Sequence, residues 1–138
     1  MGARKRLKAQ EIKKASMSKA YASLRDCPTS PRKMRLVVDL IRGKEVNKAL
    51  DILRFTQKEA AKRVEKLLLS AISNWQNKNQ GARIEEAGLY VKEAFVDSAR
   101  MLKRLRPAPQ GRGYRIRKRS NHVTIVLGSL NTTNENLD

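Results

Sequence analysis

The sequence predicts an α+β fold: about three helices packed on a small three-stranded antiparallel sheet, with a long protruding β-hairpin. Three observations lead there. Apolar residues recur at helical spacing between residues 30 and 76, while β-type runs gather between 89 and 127. Between the last two β-type runs lies the stretch Arg100 to Arg119. It holds nine Lys or Arg and no acid, with two prolines and two glycines at its centre.

Each element has a local reason. Residues 1 to 20 are basic and polar, with weak helical periodicity through Ala9, Ile12 and Ala15. Alone, such a tail is disordered or marginally helical. Tyr21 to Arg25 alternates as a short strand, and Asp26-Cys27-Pro28-Thr29 reads as a turn. Ser30 then caps a first helix, with Pro31 pre-organised at its first position. Met34, Val37, Val38 and Ile41 form its apolar face, and Arg42-Gly43 stops it. A second, shorter helix runs from about Val46 to Leu53. Thr56-Gln57-Lys58-Glu59 matches a capping box for a third helix. Its stripe is Ala60, Val64, Leu67, Leu68, Ala71, Ile72 and Trp75, and Leu67-Leu68-Leu69 is expected in the core. Asn77 to Gly81 is a loop, and Glu85-Glu86 beside Gly88 a solvated loop edge.

From Leu89 the character changes. Leu89-Tyr90-Val91, Ala94-Phe95-Val96 and Val123 to Leu127 read as strands. The organisation is therefore a basic N-terminal tail at 1–20, a single globular domain at 21–130 containing an extended hairpin at about 96–124, and a frayed tail at 131–138.

The chain has 138 residues and a formal net charge of +18. The charge is uneven. Residues 36–99 carry eleven bases against nine acids, an ordinary solvated surface, whereas residues 1–35 carry eleven against two. A nearly neutral body thus bears two basic appendages. Charge on that scale calls for a polyanion. Cys27 stands alone, which excludes an internal disulfide and any multi-Cys metal site. His122 is the only histidine, and no paired carboxylates occupy a turn or Gly-rich setting, so neither a catalytic constellation nor a cofactor is expected. Cys27 reads as a small turn or core residue. No apolar run approaches the ~20 residues of a membrane span. The N-terminus lacks the apolar segment of a secretory signal. A cytoplasmic, reducing location follows as the expectation.

A hairpin this basic cannot pack on a core, because unpaired buried charges cost several kcal/mol. Arms of ten or so residues would each span roughly 30 Å, well clear of a body whose radius of gyration is about 13 Å. An isolated ribbon is marginal in water and becomes ordered when a partner holds it. Pro107 and Pro109 fix φ and remove two donors, and Gly111 and Gly113 let a neighbour approach. Arg104, Arg106, Arg112, Arg115, Arg117 and Arg119 suit bidentate phosphate clamping. A solvated basic linker has the same composition, but strand residues on both sides of a turn favour the hairpin. Nucleic acid is the expected partner; charge alone does not choose between RNA and DNA. No aromatic ladder suggests single-strand stacking. An architectural DNA-binding protein remains an alternative, although such proteins bury a dimer interface, and here one chain supplies a complete helical core.

The motifs narrow the choice. S-P-R-K-M-R-L-V-V-D-L-I-R-G-K at 30–44 and L-L-L-S-A-I-S-N at 67–74 closely resemble the bacterial large-subunit ribosomal protein L twenty-two family. So does the order F-V-D, L-K-R, G-R-G and I-R-K-R-S-N-H-V-T-I-V, the last at 116–126. The similarity covers about residues 20–127. It implies a structural protein of the large ribosomal subunit that contacts several domains of the rRNA and acts early in assembly. Neighbouring ribosomal proteins and the nascent peptide are the other implied partners, with no membrane and no homo-oligomer. The implied rRNA contacts are Arg100, Lys103 and Lys118 beside the arginines already named, with Arg32, Lys33 and Arg35 on the first helix. Arg4, Lys5, Arg6 and Lys8 extend them along the tail, which on charge alone is equally a solvated tail. His122 either contacts a phosphate or packs at the hairpin base, the second being favoured.

The resemblance also implies a hairpin tip lining the peptide exit tunnel. Leu102, Lys103 and Arg104 correspond to a region that influences macrolide antibiotics. The tip is Pro107-Ala108-Pro109-Gln110-Gly111-Arg112-Gly113, where the family typically has Pro-Arg-Ala-x-Gly-Arg-Ala. Ala108 stands in place of the usual arginine, and a second proline and a glycine change stiffness and bulk.

Overall fold

The computed structural model describes residues 3–80 and 83–130. The tail at 131–138, and with it the expected fraying, lies outside them. The elements run α1 (Ala3–Ser18), β1 (Ala20–Cys27), α2 (Pro31–Ile41), α3 (Val46–Phe55), α4 (Glu59–Lys78), a single turn α5 (Ile84–Ala87), β2 (Leu89–Ser98), β3 (Leu102–Pro107), β4 (Gly113–Lys118) and β5 (Asn121–Ser129). The α+β expectation holds: α2, α3 and α4 pack together and α2 and α4 cover one face of an antiparallel sheet.

The sheet order is β1-β5-β2, so the last strand is central. Its alternate residues Val123, Ile125 and Leu127 are buried under the helices. The helices meet them with Met34, Val37, Val38 and Ile41 from α2, Val46, Ala49 and Leu53 from α3, and the whole expected stripe of α4. Trp75 at the end of that stripe is only 7% exposed and belongs to the core. Leu69 does not. It is 44% exposed, because a three-residue run spans 200° of a helix and cannot all face inward.

Ser30 does occupy the N-cap of α2 and Pro31 its first turn, without a side-chain capping bond. Gly43 follows the helix with φ +72°, a left-handed conformation that a glycine takes without strain. The capping box is corrected. α3 continues two residues past Leu53, so Thr56 closes that helix, its hydroxyl donating to the Ile52 carbonyl at 2.6 Å. Lys58 is then the N-cap of α4, with no side-chain capping bond. Residues 84–87 form a helical turn ending on left-handed Gly88 instead of a plain loop edge. α4 also extends through Lys78, into residues expected in a loop.

Both outer strands have their backbone groups engaged from the side. On β2, Arg42 donates to the Ala94 carbonyl at 2.8 Å and Arg35 to the Val96 carbonyl at 3.1 Å. Further along, the Gly43 N–H reaches the Val91 carbonyl, and the Val91 N–H the Lys44 carbonyl, both at 2.9 Å. On β1, Asn74 of α4 donates its amide to the Tyr21 carbonyl at 3.0 Å.

Candidate nucleic-acid interface

The β2–β5 ladder ends at the pair Ser98↔Asn121, and the β3–β4 ladder begins at Leu102↔Lys118. Three residues on one arm, 99–101, oppose two on the other, 119–120. The mismatch breaks one long hairpin into two ladders joined by a single bond, Ala99 N–H to the Ser120 carbonyl at 3.0 Å. The continuous ten-residue arms expected from sequence are thus corrected to six-residue arms, each about 20 Å long. Every residue of β3 and β4 is exposed.

Register sorts the arm's side chains onto two faces. Leu102, Arg104 and Arg106 lie opposite Lys118, Ile116 and Tyr114, respectively. On the other face Lys103, Leu105 and Pro107 lie opposite Arg117, Arg115 and Gly113. Alternation puts three cations on each face. Leu102, Leu105, Ile116 and Tyr114 each face a cation, and Lys103 directly faces Arg117. That like-charge pair is unfavourable in isolation and becomes favourable between phosphates. With cations on both faces, the ribbon suits insertion between two anionic surfaces better than lying on one.

The tip is a tight turn. The Ala108 N–H donates to the Arg112 carbonyl at 2.9 Å and the Arg112 N–H to the Pro109 carbonyl at 3.4 Å. Gln110 has φ +62° and Gly111 φ +69°. Two consecutive positive φ values are what a type I′ turn requires, so Gly111 is fitted to its position and Gln110 is held in a conformation that costs a side chain about 1 kcal/mol. Pro109 precedes the strained pair and limits the alternatives open to it.

The other expected contacts fall into three places. Arg4, Lys5, Arg6 and Lys8 occupy the first two turns of α1, a helix with no buried residue among those described, tied to the body where Lys78 donates to the Met17 and Lys19 carbonyls at 2.6 Å. Arg32 and Lys33 are exposed in the first turn of α2, while Arg35 is engaged by the Val96 carbonyl. Arg100 and Arg119 sit exposed at the junction of the two ladders. Sequence reasoning missed Lys62, Arg63 and Lys66, which line a groove of about 590 Å³ between α4 and β1. The Glu59 carboxylate, hydrogen-bonded to Arg63 at 2.9 Å, raises that guanidinium above its ordinary pKa.

His122 packs at the root of the arm. Its Nδ1 accepts the Asp26 N–H at 3.0 Å. Beside it, Asn121 is fully buried and donates its amide to both the carbonyl and the hydroxyl of Thr29, each at 2.7 Å. Asn121 thereby pins the root of the arm to the turn between β1 and α2. Its amide oxygen is buried with no hydrogen-bond partner among the described residues. Nothing in composition marks this asparagine. Asn121→Ala is expected to lower stability by about 1–3 kcal/mol, since it leaves the Thr29 carbonyl unpaired; a urea midpoint measured against the unaltered chain checks this.

An α+β body with a hydrophobic core between helices and sheet, carrying an extended cationic hairpin, defines the class of protein. Comparison gives the particular family. Residues 22–128 match the family model described as Ribosomal protein L22p/L17e. The chain is similar to proteins named Large ribosomal subunit protein uL22: 65% identical to that of Flavobacterium johnsoniae over 99% of both chains, and 65% identical to that of Christiangramia forsetii over 96% of this chain and 98% of the other. It is 60% identical to that of Bacteroides fragilis over 94% of both. The chain belongs to the Ribosomal protein L22p/L17e family, a family of ribosomal proteins and not of enzymes. Among the described residues no helix is long and apolar enough to cross a membrane.

Proposed function

We propose that this chain is a structural constituent of the large ribosomal subunit that binds large-subunit rRNA, supports early assembly, and places its hairpin tip in the wall of the nascent-peptide exit tunnel. One observation carries the reading beyond family membership: a fully exposed ribbon with three cations on each face, no acid in residues 100–119, and a tight tip. Such an arm makes sense only inside a polyanion. Arg104, Arg106, Arg115 and Arg117 clamp phosphates, and Arg112 does so at the tip. Lys103 and Lys118 add point charges. Arg100 and Arg119 hold the RNA at the junction, with Arg32, Lys33 and the α1 cations extending the contact over the body. Recognition depends on the fit of the ribbon to folded RNA, because both faces must find phosphate at once. Neighbouring ribosomal proteins and the nascent peptide are the remaining partners, the latter at Pro107 to Gly113.

In a density gradient of cell lysate at high salt, the chain is expected to sediment with large ribosomal subunits. Finding it free at the top, or on chromosomal DNA, overturns the reading. The isolated chain is expected to bind large-subunit rRNA with an affinity that falls steeply between ~50 and ~200 mM salt, by about a thousandfold or more.

A further inference from the structure

The sheet has a second face. α2 and α4 cover one side; no described element packs extensively on the other, where Val126 at the centre is buried beside Tyr21. Alternation turns Tyr21, Thr124 and Phe95 outward, since their neighbours Ala20, Ala22, Val123, Ile125, Ala94 and Val96 are buried beneath the helices. Tyr21 is 49% and Phe95 50% exposed. Register places them on the two outer strands, one row apart: Tyr21 pairs with Val126, and Phe95 pairs with Thr124, which pairs in turn with Ser23. The rings are therefore separated by the central strand, about 10 Å apart across the sheet. The pleat that buries the core aims both at the open side.

The same face ends at the root of the arm in a recess of about 450 Å³. Arg25, Arg100 and His122 line it, together with Ser23, Thr124, Asp26 and Asp97. Because Nδ1 of His122 accepts the Asp26 N–H, the neutral ring carries its proton on Nε2, which is a donor. One exposed phenylalanine is ordinary. Two rings on a flat face, beside a recess with two guanidiniums and an imidazole N–H, form a recognisable pair of features. Rings stack on unpaired bases, the cations take a phosphate that flanks the stacked pair, and the carboxylates accept from exocyclic amines. A protein partner would fit the rings equally well but gives no reason for the cations at their end.

We propose that the open face of the sheet binds a single-stranded RNA segment, with a base on Phe95, a second on Tyr21, and a phosphate in the recess of Arg25, Arg100 and His122. This rests on the reading of the hairpin as RNA-binding and extends it to a surface that recognises unpaired nucleotides by stacking.

The experiment uses the full chain and purified large-subunit rRNA. Phe95→Leu is expected to weaken binding about fivefold to a hundredfold, and Phe95→Trp to leave it near that of the unaltered chain. Irradiation of the unaltered complex at short ultraviolet wavelength is expected to give nucleotide adducts on the peptides holding Phe95 or Tyr21. Unchanged affinity of Phe95→Leu without such adducts overturns the proposal, as does cross-linking of this face to another protein in assembled subunits. Should Phe95→Leu lose its native melting transition, the adducts on the unaltered chain decide alone. The paired control is Arg104→Ala with Arg117→Ala. If it weakens binding while Phe95→Leu does not, only the stacking face falls; if neither does, the RNA reading of the hairpin falls with it.

Discussion

A chain in which residues 102–118 are replaced by a two-residue Asn-Gly turn is expected to unfold as cooperatively as the intact chain, within about 1 kcal/mol. Its affinity for large-subunit rRNA is expected to collapse. Both halves follow from burial. No residue of β3 or β4 is buried, and the arm joins the body through one backbone bond at the junction, so its loss removes no core contact. An isolated two-stranded ribbon contributes little stability of its own. The segment does carry seven Lys or Arg. If each meets a phosphate, the slope of log affinity against log salt falls by about five. Thermal unfolding followed by circular dichroism and filter binding at several salt concentrations measure the two effects. Loss of the cooperative transition would make the arm integral to the body, and a slope change of one or less would move the RNA contact elsewhere.

Leu68→Ala is expected to do the opposite. Leu68 is fully buried at the middle of α4. Truncating it removes a side chain from a packed core and leaves a cavity, at about 3 kcal/mol. For a body of this size that is a fall in Tm of roughly 15 °C. The neighbouring Leu69, 44% exposed, is expected to lose far less on the same change. Leu105→Ala on the arm, 76% exposed, should stay within about 0.5 kcal/mol. Measuring the three midpoints side by side separates core from appendage. Equal losses at Leu68 and Leu105 would contradict the division.

The parts of the fold that sequence made legible are those in which local chemistry and tertiary packing agree. The α4 stripe from Ala60 to Trp75 is apolar because it faces the core, and the same spacing gives the helix. Pro31 and Gly43 bracket α2 because backbone conformation at those positions is set by the residue itself. The failures arise where two local signals compete. Thr56 carries a hydroxyl suited to a helix start, but α3 runs on to Phe55 and claims it as an end. Glu59 is free to pair with Arg63 instead. The ladder break at 99–101 against 119–120 depends on pairing between distant residues, and no local pattern reports it. The candidate site divides in the same way. The charge of the arm was plain, since nine cations without an acid need no structure to be noticed. Its distribution over two faces was not, because it depends on register. Tyr21 and Phe95 show no aromatic pattern along the chain, 74 positions apart, and come onto one face of the sheet only through the central position of β5. The tail from Ala3 to Ser18 is a helix despite weak periodicity, which fits a segment whose polar residues surround it on every side.

The side-chain clamps on the sheet edges bear on how the chain is supplied to its partner. A three-stranded sheet with bare edges is a template on which a second copy can add a strand. Here Arg35 and Arg42 occupy carbonyls along β2, and Asn74 does the same on β1. These bonds narrow the backbone route to edge-to-edge pairing at the body's sheet, while mutual repulsion at +18 opposes close approach of copies in solution. The two safeguards differ in what removes them. A polyanion quenches the repulsion, but the clamps persist. Backbone groups already bonded within the molecule stay occupied when the charge is neutralised, so this protection, unlike the repulsion, does not depend on ionic surroundings.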